Sequence, residues 1–258
     1  MRRRRLPLVK GVERYLLEKI EEDGALHMTL IDPEKTGSDD GAAIAREVEK
    51  AGTAAIMVGG STLASNSDLD DVVKKIKASV RVPTILFPNN ITGVSRHADA
   101  IWFMSLLNSS NTYYLIDVQA LTARLVRSYG LEALPMGYII IGEGGAAGFI
   151  GHARPIPCDH PELALGYSLA AETLGMRFIY LEAGSGAMKP VPTEMIKLVD
   201  SHLSVPLIVG GGIRDGDTAR EAVEAGADII VTGTLVEETN KVRERIYDIV
   251  ANIISVRG

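Results

Sequence analysis

Eight short apolar runs alternate with amphipathic, charged stretches along the 258 residues, and this alternation predicts a (β/α)8 TIM barrel that forms one domain over 1–258. Two further observations support this fold class. The length suits a single α/β barrel, since such barrels occupy about 250 residues. The composition is 46% hydrophobic, 23% charged and only 5% aromatic, which favours strands buried on both faces under covering helices.

The chain divides into one leading helix and eight strand-and-helix units. The amphipathic segment 7–23 predicts an N-terminal helix that caps the bottom of the barrel. The predicted strands are 26–31, 54–58, 84–87, 100–105, 137–141, 177–181, 206–209 and 228–231. The predicted helices are 39–51, 69–79, 121–129, 162–174, 193–202, 217–225 and 240–256.

Two connections depart from this regular alternation. Residues 88–98, between the third and fourth strands, leave little room for a covering helix, so we expect a shortened or missing helix there. A short helix with tight loops fits the length equally well. Residues 142–161 form the longest connection predicted to lack a helix, and long loops in compact domains are often functional.

Charge and composition argue against several partner classes. A formal net charge of −6 disfavours a large nucleic-acid surface, and no apolar stretch approaches the roughly 20 residues of a membrane-spanning helix. The basic run 2–5 leads into a charged amphipathic segment, which is unlike a signal peptide. The single cysteine, Cys158, suits a reducing compartment, so we expect a cytoplasmic protein. The five histidines form no metal-binding motif, and the roles of His152 and Arg154 stay open.

A phosphate site is predicted where the seventh and eighth strands end. The seventh runs into Gly210-Gly211-Gly212, with Asp215 placed to cap the next helix, and the eighth runs into Gly233-Thr234. Loops after these two strands often bind phosphate in barrels, because glycines expose backbone N–H groups to the phosphate oxygens. Glycines that only make turns are the alternative.

Asp32 is the candidate metal ligand. It ends the first strand, and the second strand ends in Gly59-Gly60-Ser61-Thr62, which places hydroxyls beside it. One carboxylate, a hydroxyl and substrate phosphates form the sparse oxygen set that Mg²⁺ accepts, with either Ser61 or Thr62 facing the ion. A helix cap or a structural salt bridge is the alternative role for Asp32.

Glu182 is the candidate base. It ends the sixth strand and is followed by the small residues Ala183-Gly184-Ser185-Gly186, which suit an oxygen-rich ligand close to the backbone. At the carboxyl end of a barrel strand, its carboxylate is placed to orient a substrate hydroxyl or to remove its proton.

Six motifs in order along nearly the whole chain resemble geranylgeranylglyceryl phosphate synthase. They are Ile31-Asp32-Pro33-Glu34-Lys35, Val58-Gly59-Gly60-Ser61-Thr62, Ser105-Leu106-Leu107-Asn108-Ser109, Ala153-Arg154-Pro155-Ile156-Pro157, Tyr180-Leu181-Glu182-Ala183-Gly184-Ser185-Gly186 and Val209-Gly210-Gly211-Gly212-Ile213. Some bacterial heptaprenylglyceryl phosphate synthases of the superfamily carry a lysine where this chain has Leu30. The strand-six motif looks more like the second major group, whose members are often dimers or hexamers.

The resemblance implies Mg²⁺-dependent transfer of a geranylgeranyl group from its diphosphate to the 3-hydroxyl of sn-glycerol 1-phosphate, which forms the first ether bond of archaeal lipids. It implies catalytic roles for Glu182 and Asp32 and a metal site of Asp32 and Ser61. The positions that match the glycerol phosphate site are Tyr180, Leu181, Glu182, Ala183, Gly184, Ser185, Gly186, Gly211, Gly212, Gly233 and Thr234. The resemblance also implies a homo-oligomer. We expect no nucleic-acid partner, and association with the membrane surface stays open.

The gap at 88–98 offers a place for the prenyl chain on the outside of the barrel. We expect Trp102 to line this groove, to anchor an oligomer contact or simply to pack in the barrel, and we expect Ala100 to lie along the groove.

Two other functions remain as alternatives: a sugar-phosphate lyase or isomerase, and a non-enzymatic ligand-binding barrel. A lyase or isomerase would need a catalytic lysine or a paired acid and base at strand ends, and no lysine falls within the predicted strands.

Overall fold

The computed structural model describes residues 11–60, 66–237, 241–254 and 256, and eight parallel strands close into a barrel in chain order. The predicted fold class is confirmed. The strands are β1 Leu26–Ile31, β2 Ala55–Val58, β3 Thr84–Leu86, β4 Ala100–Leu106, β5 Glu132–Ile140, β6 Phe178–Glu182, β7 Leu207–Gly210 and β8 Ile229–Thr232. β1 pairs with both β2 and β8, which completes the closure.

Helices surround the barrel, and short helical turns follow several strands. The described helices are α1 Gly11–Asp23, α2 Pro33–Thr36, α3 Ser38–Lys50, α4 Asn66–Ser79, α5 Val118–Tyr129, α6 Gly145–Ile150, α7 Pro161–Thr173, α8 Thr193–Asp200, α9 Gly216–Glu224, α10 Thr234–Glu237 and α11 Val242–Ile254. A 3-10 turn spans Ile91–Gly93 and a π-helical turn spans Tyr113–Asp117. None of these described helices is both long and apolar enough to cross a membrane.

α1 closes the bottom of the barrel, as predicted. Its buried Val12 and Leu16 pack with inward-facing residues of all eight strands in one apolar cluster. The carboxylate of Glu132 at the start of β5 accepts hydrogen bonds from the Val12 and Glu13 N–H groups, at 2.8 and 3.1 Å. The buried Glu13 carboxylate in turn pairs with Arg177. The first turn of α1 is therefore satisfied by side chains of the barrel, which anchors the helix there.

The connection between β3 and β4 contains only the 3-10 turn, which confirms the missing helix. Asn90 caps this turn through its Oδ1, which accepts from Thr92 N at 2.7 Å. Consequently, the outer side of the barrel between β3 and β4 lacks the full-length helix that would follow β3.

Alternation along β4 decides which residues face the gap. Ala100 and Trp102 belong to the barrel interior, whereas Ile101 and Phe103 pack in the outer apolar layer. The expectation that Ala100 lies along an outer groove is therefore wrong, because its side chain points into the barrel and is fully buried.

Two further differences from the predicted elements have local causes. β5 begins at Glu132 rather than at 137, because parallel pairing with β4 extends over a polar residue and Pro135, which the apolar pattern alone excludes. The connection 142–161 was predicted without a helix, yet it contains α6. The α6 sequence has two glycines and no charge, so it shows no amphipathic pattern.

Candidate active site

A cavity of about 530 Å³ opens at the carboxyl ends of the strands. Its lining extends from the glycine-rich exits of β6, β7 and β8 to the wall beside the β3–β4 gap. Eight of the predicted site residues line it: Tyr180, Glu182, Ser185, Gly186, Gly211, Gly212, Gly233 and Thr234. One cavity thus joins the predicted phosphate site to the predicted apolar groove.

The polar end of the cavity is formed by backbone held in conformations that require glycine. Gly211 and Gly212 have φ angles of 82° and 73°. A Cβ atom on Gly211 would lie 2.6 Å from Glu182 Oε1 and from Gly184 N, so the β7 exit packs directly on the β6 exit. Ser185 Oγ and Thr234 Oγ1 lie 3.3 Å apart, which brings the β6 and β8 exits together. The result is a concave surface of backbone amides and hydroxyls that suits a phosphate.

Helix starts and arginines add positive charge at this end. Thr234 begins the short helix α10, and the position after β8 matches the short extra helix of barrel phosphate sites. Asp215 caps α9 as predicted, accepting from Thr218 N at 2.8 Å, and this bond lowers the pKa of its carboxyl group. Arg214 and Arg245 also line the cavity, and neither was predicted as a site residue from the sequence.

Three predicted site residues contribute in another way. Leu181 and Ala183 point outward into the apolar layer beneath the helices, so their side chains do not face the cavity. Gly184 has a φ of 110° and packs against the backbone of Gly144 and Gly145. These positions shape the β6 exit rather than present side chains to a ligand.

Asp32 lies directly after β1 and caps α2. Its Oδ1 accepts from Glu34 N at 3.1 Å, and its Oδ2 lies 4.0 Å from Lys35 Nζ, so the capping role weighed above is present. The carboxylate also lies against Gly60 at the β2 exit, where a Cβ atom would be 2.6 Å from both carboxylate oxygens. Gly60 lines the cavity, whereas Asp32 itself is not among the lining residues and lies behind Gly60. Ser61 and Thr62 fall outside the described residues, so the hydroxyl half of the metal site stays a prediction.

Glu182 is buried at the end of β6. Its Oε1 accepts from Gly184 N at 2.7 Å, and Tyr180 from the same strand and Tyr138 from β5 share the inward side of the barrel with it. Burial raises the pKa of Glu182, while the nearby phenols and the Gly184 N–H oppose that rise. A carboxyl group whose pKa lies closer to neutrality can exchange a proton with a substrate hydroxyl more readily.

Tyr138 on β5 escaped the sequence reasoning. It lies opposite Tyr180 in the parallel register and lines the cavity. The alternation of side chains along a strand could have predicted its position, since Met136, Tyr138 and Ile140 share the inward face of β5.

The apolar end of the cavity lies against the outer side of the barrel at the β3–β4 gap. Its walls come from the end of β3, from β4, and from the π-helical turn and α5: Phe87, Ile101, Phe103, Tyr114, Val118 and Thr122. Trp102 borders the cavity and also packs edge-to-face on Phe178 in the barrel interior, with ring centroids 5.1 Å apart. Barrel packing is therefore the role that the structure supports for Trp102, because its side chain is fully buried in the barrel interior and does not lie on the outer wall.

The remaining histidines and Arg154 lie elsewhere in the structure. His152 has a φ of 50°, and its ring lies 6.3 Å from that of Tyr114 at the rim of the groove. Arg154 contacts Tyr167 on α7. His27 is buried, and its ring nitrogens hydrogen-bond with the Thr53 and Thr232 hydroxyls, so its role is structural.

Known proteins show close similarity over nearly the whole chain. Residues 17–254 match the PcrB family. A geranylgeranylglyceryl phosphate synthase from Thermofilum pendens is 56% identical over 239 residues, covering 93% of each chain. One from Pyrococcus abyssi is 53% identical, covering 90% of this chain and 92% of its own.

A solved structure agrees in fold. The (S)-3-O-geranylgeranylglyceryl phosphate synthase from Thermoplasma acidophilum, in complex with its substrate sn-glycerol-1-phosphate, is 40% identical, with a TM-score of 0.92 over 96% of this chain and 100% of that one. Together, these matches show that the chain belongs to the PcrB family and is a relative of the geranylgeranylglyceryl phosphate synthases.

Proposed function

We propose that the protein is a prenyltransferase that joins geranylgeranyl diphosphate to the 3-hydroxyl of sn-glycerol 1-phosphate. The observation that carries this proposal is the continuous cavity, which has a phosphate-binding shape at one end, Glu182 in the middle and an apolar wall at the other. The relatives named above support the same activity, and the Thermoplasma acidophilum protein binds sn-glycerol-1-phosphate.

Glycerol phosphate binds at the polar end. Its phosphate accepts hydrogen bonds from backbone amides at the exits of β6, β7 and β8 and from the hydroxyls of Ser185 and Thr234. Arg214 and Arg245 favour the negative charge, and Arg214 also donates weakly to the Gly186 and Ala187 carbonyl oxygens, at 3.4 and 3.5 Å. This arrangement points the glycerol portion towards the centre of the barrel.

Glu182 lies next to the position that the reacting 3-hydroxyl would take. The 3-hydroxyl oxygen attacks C1 of the prenyl group, its proton passes to the Glu182 carboxylate, and the bond from C1 to the diphosphate oxygen breaks with its electron pair on the leaving diphosphate. Burial favours the protonated product form of Glu182, while the donors around it keep the ionised form accessible.

The prenyl chain binds along the apolar end. Burial of a 20-carbon chain against Phe87, Ile101 and Phe103 supplies affinity at about 0.8 kcal/mol per CH₂ group removed from water. The missing helix between β3 and β4 makes this wall available, which links an anomaly of the fold to the substrate.

Asp32 fits a Mg²⁺ ion that takes most of its ligands from water and substrate. Gly60 brings the β2 backbone against the carboxylate, and an ionised carboxylate has about four acceptor positions, so helix capping and metal binding are compatible. Mg²⁺ accepts so sparse a protein shell, because it usually keeps several waters and is bound by one or two carboxylates together with substrate phosphates. When bound, the ion stabilises negative charge on the diphosphate.

The rival functions have less support. No lysine occurs among the described residues that line the cavity, so a lyase or isomerase using a lysine nucleophile is disfavoured.

We further propose a homo-oligomer, since α7 exposes the side chains of Leu163 and Leu169, and Leu174 just after α7 is exposed as well. Light scattering of the purified protein tests this assembly.

Incubation with labelled sn-glycerol 1-phosphate, geranylgeranyl diphosphate and Mg²⁺ tests the activity. We expect an ether-linked, organic-soluble product that is lost when EDTA removes the metal. A binding-only barrel would retain glycerol phosphate without product. Failure to make product at any Mg²⁺ concentration, from protein with a cooperative unfolding transition, would refute the proposal.

A further inference from the structure

The buried side chain of Asn108 extends the pairing between β4 and β5. The regular ladder ends where Leu106 lies opposite Tyr138. Beyond that pair, Asn108 Oδ1 accepts from Ile140 N at 3.1 Å, and Asn108 Nδ2 donates to Ile140 O at 2.9 Å. The amide group of Asn108 therefore takes the place of a strand residue and satisfies the backbone at the carboxyl end of β5.

Asn108 also binds the segment that follows α6. Its Nδ2 donates to Arg154 O at 3.0 Å, and Arg154 N donates to the Asn108 backbone oxygen at 2.8 Å. Next to it, Ser109 Oγ donates to Gly151 O at 2.6 Å. The motifs at 105–109 and 153–157 are thus in direct contact, and they join the connection after β4 to the connection after β5.

His152 shows that this contact fixes the backbone after α6. Its φ of 50° lies in the left-handed region, which residues other than glycine rarely adopt. The His152 carbonyl oxygen accepts from both Ser110 N and Ser110 Oγ, each at 2.9 Å. A strained conformation of this kind persists where surrounding contacts hold it, and such residues are common at functional sites.

Glycines bring α6 down onto the barrel. A Cβ atom on Gly144, just before α6, would lie 2.3 Å from Ile140 Cγ2, and one on Gly151, just after α6, would lie 2.3 Å from Leu106 Cδ2. The side chains of Ile140 and Leu106 belong to the barrel interior. The ends of α6 therefore lie directly on inward-facing residues of β4 and β5, with no space for a side chain between them.

The helix α6 also forms part of the cavity wall. Ala147 and Ile150 line the cavity. At the start of α6, a Cβ atom on Gly145 would be 3.3 Å from Ser185 O, so this end of the helix contacts the β6 exit where phosphate is proposed to bind. The other end lies on β4, beside the apolar end of the cavity. The helix thus covers the region between the two ends, where the two substrates would meet.

We propose, building on the function proposed above, that Asn108 is a positioning residue that holds α6 over the reacting atoms and so excludes water. Water competes with the glycerol 3-hydroxyl for the prenyl group: its oxygen bonds to C1, the bond from C1 to diphosphate breaks with its electron pair on the diphosphate, and the water releases a proton. The product is then a prenyl alcohol. Asn108 acts through the backbone on either side of α6 and does not touch the reacting atoms.

A purely structural role predicts a different outcome. If the Asn108 hydrogen bonds served only folding, their loss would lower the amount of folded protein and leave each folded molecule unchanged. The ratio of prenyl alcohol to ether product would then stay the same. If the bonds hold α6 in place, their loss admits water and the ratio rises. Both products come from one sample, so the ratio does not depend on how much protein is folded.

Asn108→Ala tests the proposal because it removes three side-chain hydrogen bonds, two to Ile140 and one to Arg154. With labelled geranylgeranyl diphosphate, we expect the ratio of alcohol to ether product to rise at least about tenfold, the factor that corresponds to one lost hydrogen bond. The KM for sn-glycerol 1-phosphate should change little, because its phosphate lies at the β6 to β8 exits. Ser109→Ala removes only the bond to Gly151 and should raise the ratio less.

Asn252→Ala is the matched control. Asn252 on α11 also donates its Nδ2 to a backbone oxygen, that of Asp248 at 2.9 Å, but it does not line the cavity. This variant should keep the product ratio of the unmutated protein even if its Tm falls. An unchanged ratio in Asn108→Ala, or in Ser109→Ala where Asn108→Ala does not fold, would overturn the proposal, as would an equal rise in Asn252→Ala. Absence of turnover by the unmutated protein would instead refute the proposed function.

Discussion

His27 should make the barrel lose stability as pH falls. The side chain is 1% exposed, with Nδ1 2.7 Å from Thr53 Oγ1 and Nε2 2.9 Å from Thr232 Oγ1. Burial lowers its pKa from 6.5 to about 3. Between those values the unfolded chain binds a proton that the folded barrel does not, so the stabilisation is complete above pH 6.5 and is lost progressively towards pH 3.

The size of the effect follows from the distance in pH below 6.5. At pH 5 the unfolded chain gains about 1.5 units × 1.4 kcal/mol, or about 2 kcal/mol, relative to pH 7. The folded chain gains almost nothing at this pH, since its own pKa is about 3. The free energy of unfolding should therefore drop by about 2 kcal/mol because of this one residue.

Urea unfolding of the unmutated protein and of His27→Gln at pH 7 and pH 5 measures this contribution. Glutamine keeps hydrogen-bonding capacity but does not titrate, so the unmutated protein should lose about 2 kcal/mol more than the variant. His202→Gln, at an exposed site after α8, makes the same chemical change and should behave like the unmutated protein. Equal pH dependence in the unmutated protein and His27→Gln would refute the reasoning.

Four further predictions concern the cavity. Asp32→Asn should abolish most Mg²⁺-dependent turnover while the urea midpoint stays the same, because Asn caps helices about as well as Asp; near-normal activity would remove Asp32 from the metal site. Glu182→Gln should lower single-turnover rates more than it weakens glycerol phosphate binding by calorimetry, since an amide is a poor base; the reverse pattern would make Glu182 a binding residue only. Gly211→Asp should raise the KM for sn-glycerol 1-phosphate at least about tenfold by adding bulk and charge beside Glu182, whereas Gly166→Asp, on the open face of α7, should not; an unchanged KM would move the phosphate elsewhere. Phe103→Trp should shift preference from C20 towards shorter prenyl diphosphates, whereas Ala100→Leu should cost about 1–3 kcal/mol of stability by overpacking the interior; identical chain-length profiles would refute the groove.

The strand pattern and the glycine exits could be predicted because each depends on local sequence. β1 was predicted at its observed bounds, since four of its six residues are apolar and Asp32-Pro33 follows directly. The side on which a residue lies was harder, because one position along β4 separates Ala100 inside the barrel from Ile101 outside. Ile101 and Ala100 are both buried, so hydrophobicity does not distinguish them.

Contacts between strands were the part that could not be predicted. Tyr138 and Glu182 are separated by more than forty positions in the chain, and only the register of β5 with β6 brings them together. That register begins where Met136 pairs with Phe178, and no local pattern in either strand specifies this pair. The metal role proposed for Asp32 likewise depends on a tertiary contact, the approach of Gly60 to its carboxylate.

The wall beside β3 and β4, which lacks a helix after β3, would couple ligand binding to folding stability. In most barrels a helix belonging to the same unit would cover this wall, and its burial would be part of the folding free energy of the chain. Under the function proposed above, a 20-carbon chain would take that place, so part of the apolar burial would occur only when substrate binds. A ligand that binds only the folded state raises its stability by RT ln(1 + [L]/Kd), about 2.7 kcal/mol at a hundred times Kd. Bound lipid substrate would therefore raise the midpoint of thermal unfolding, because it buries apolar surface that the chain alone leaves uncovered.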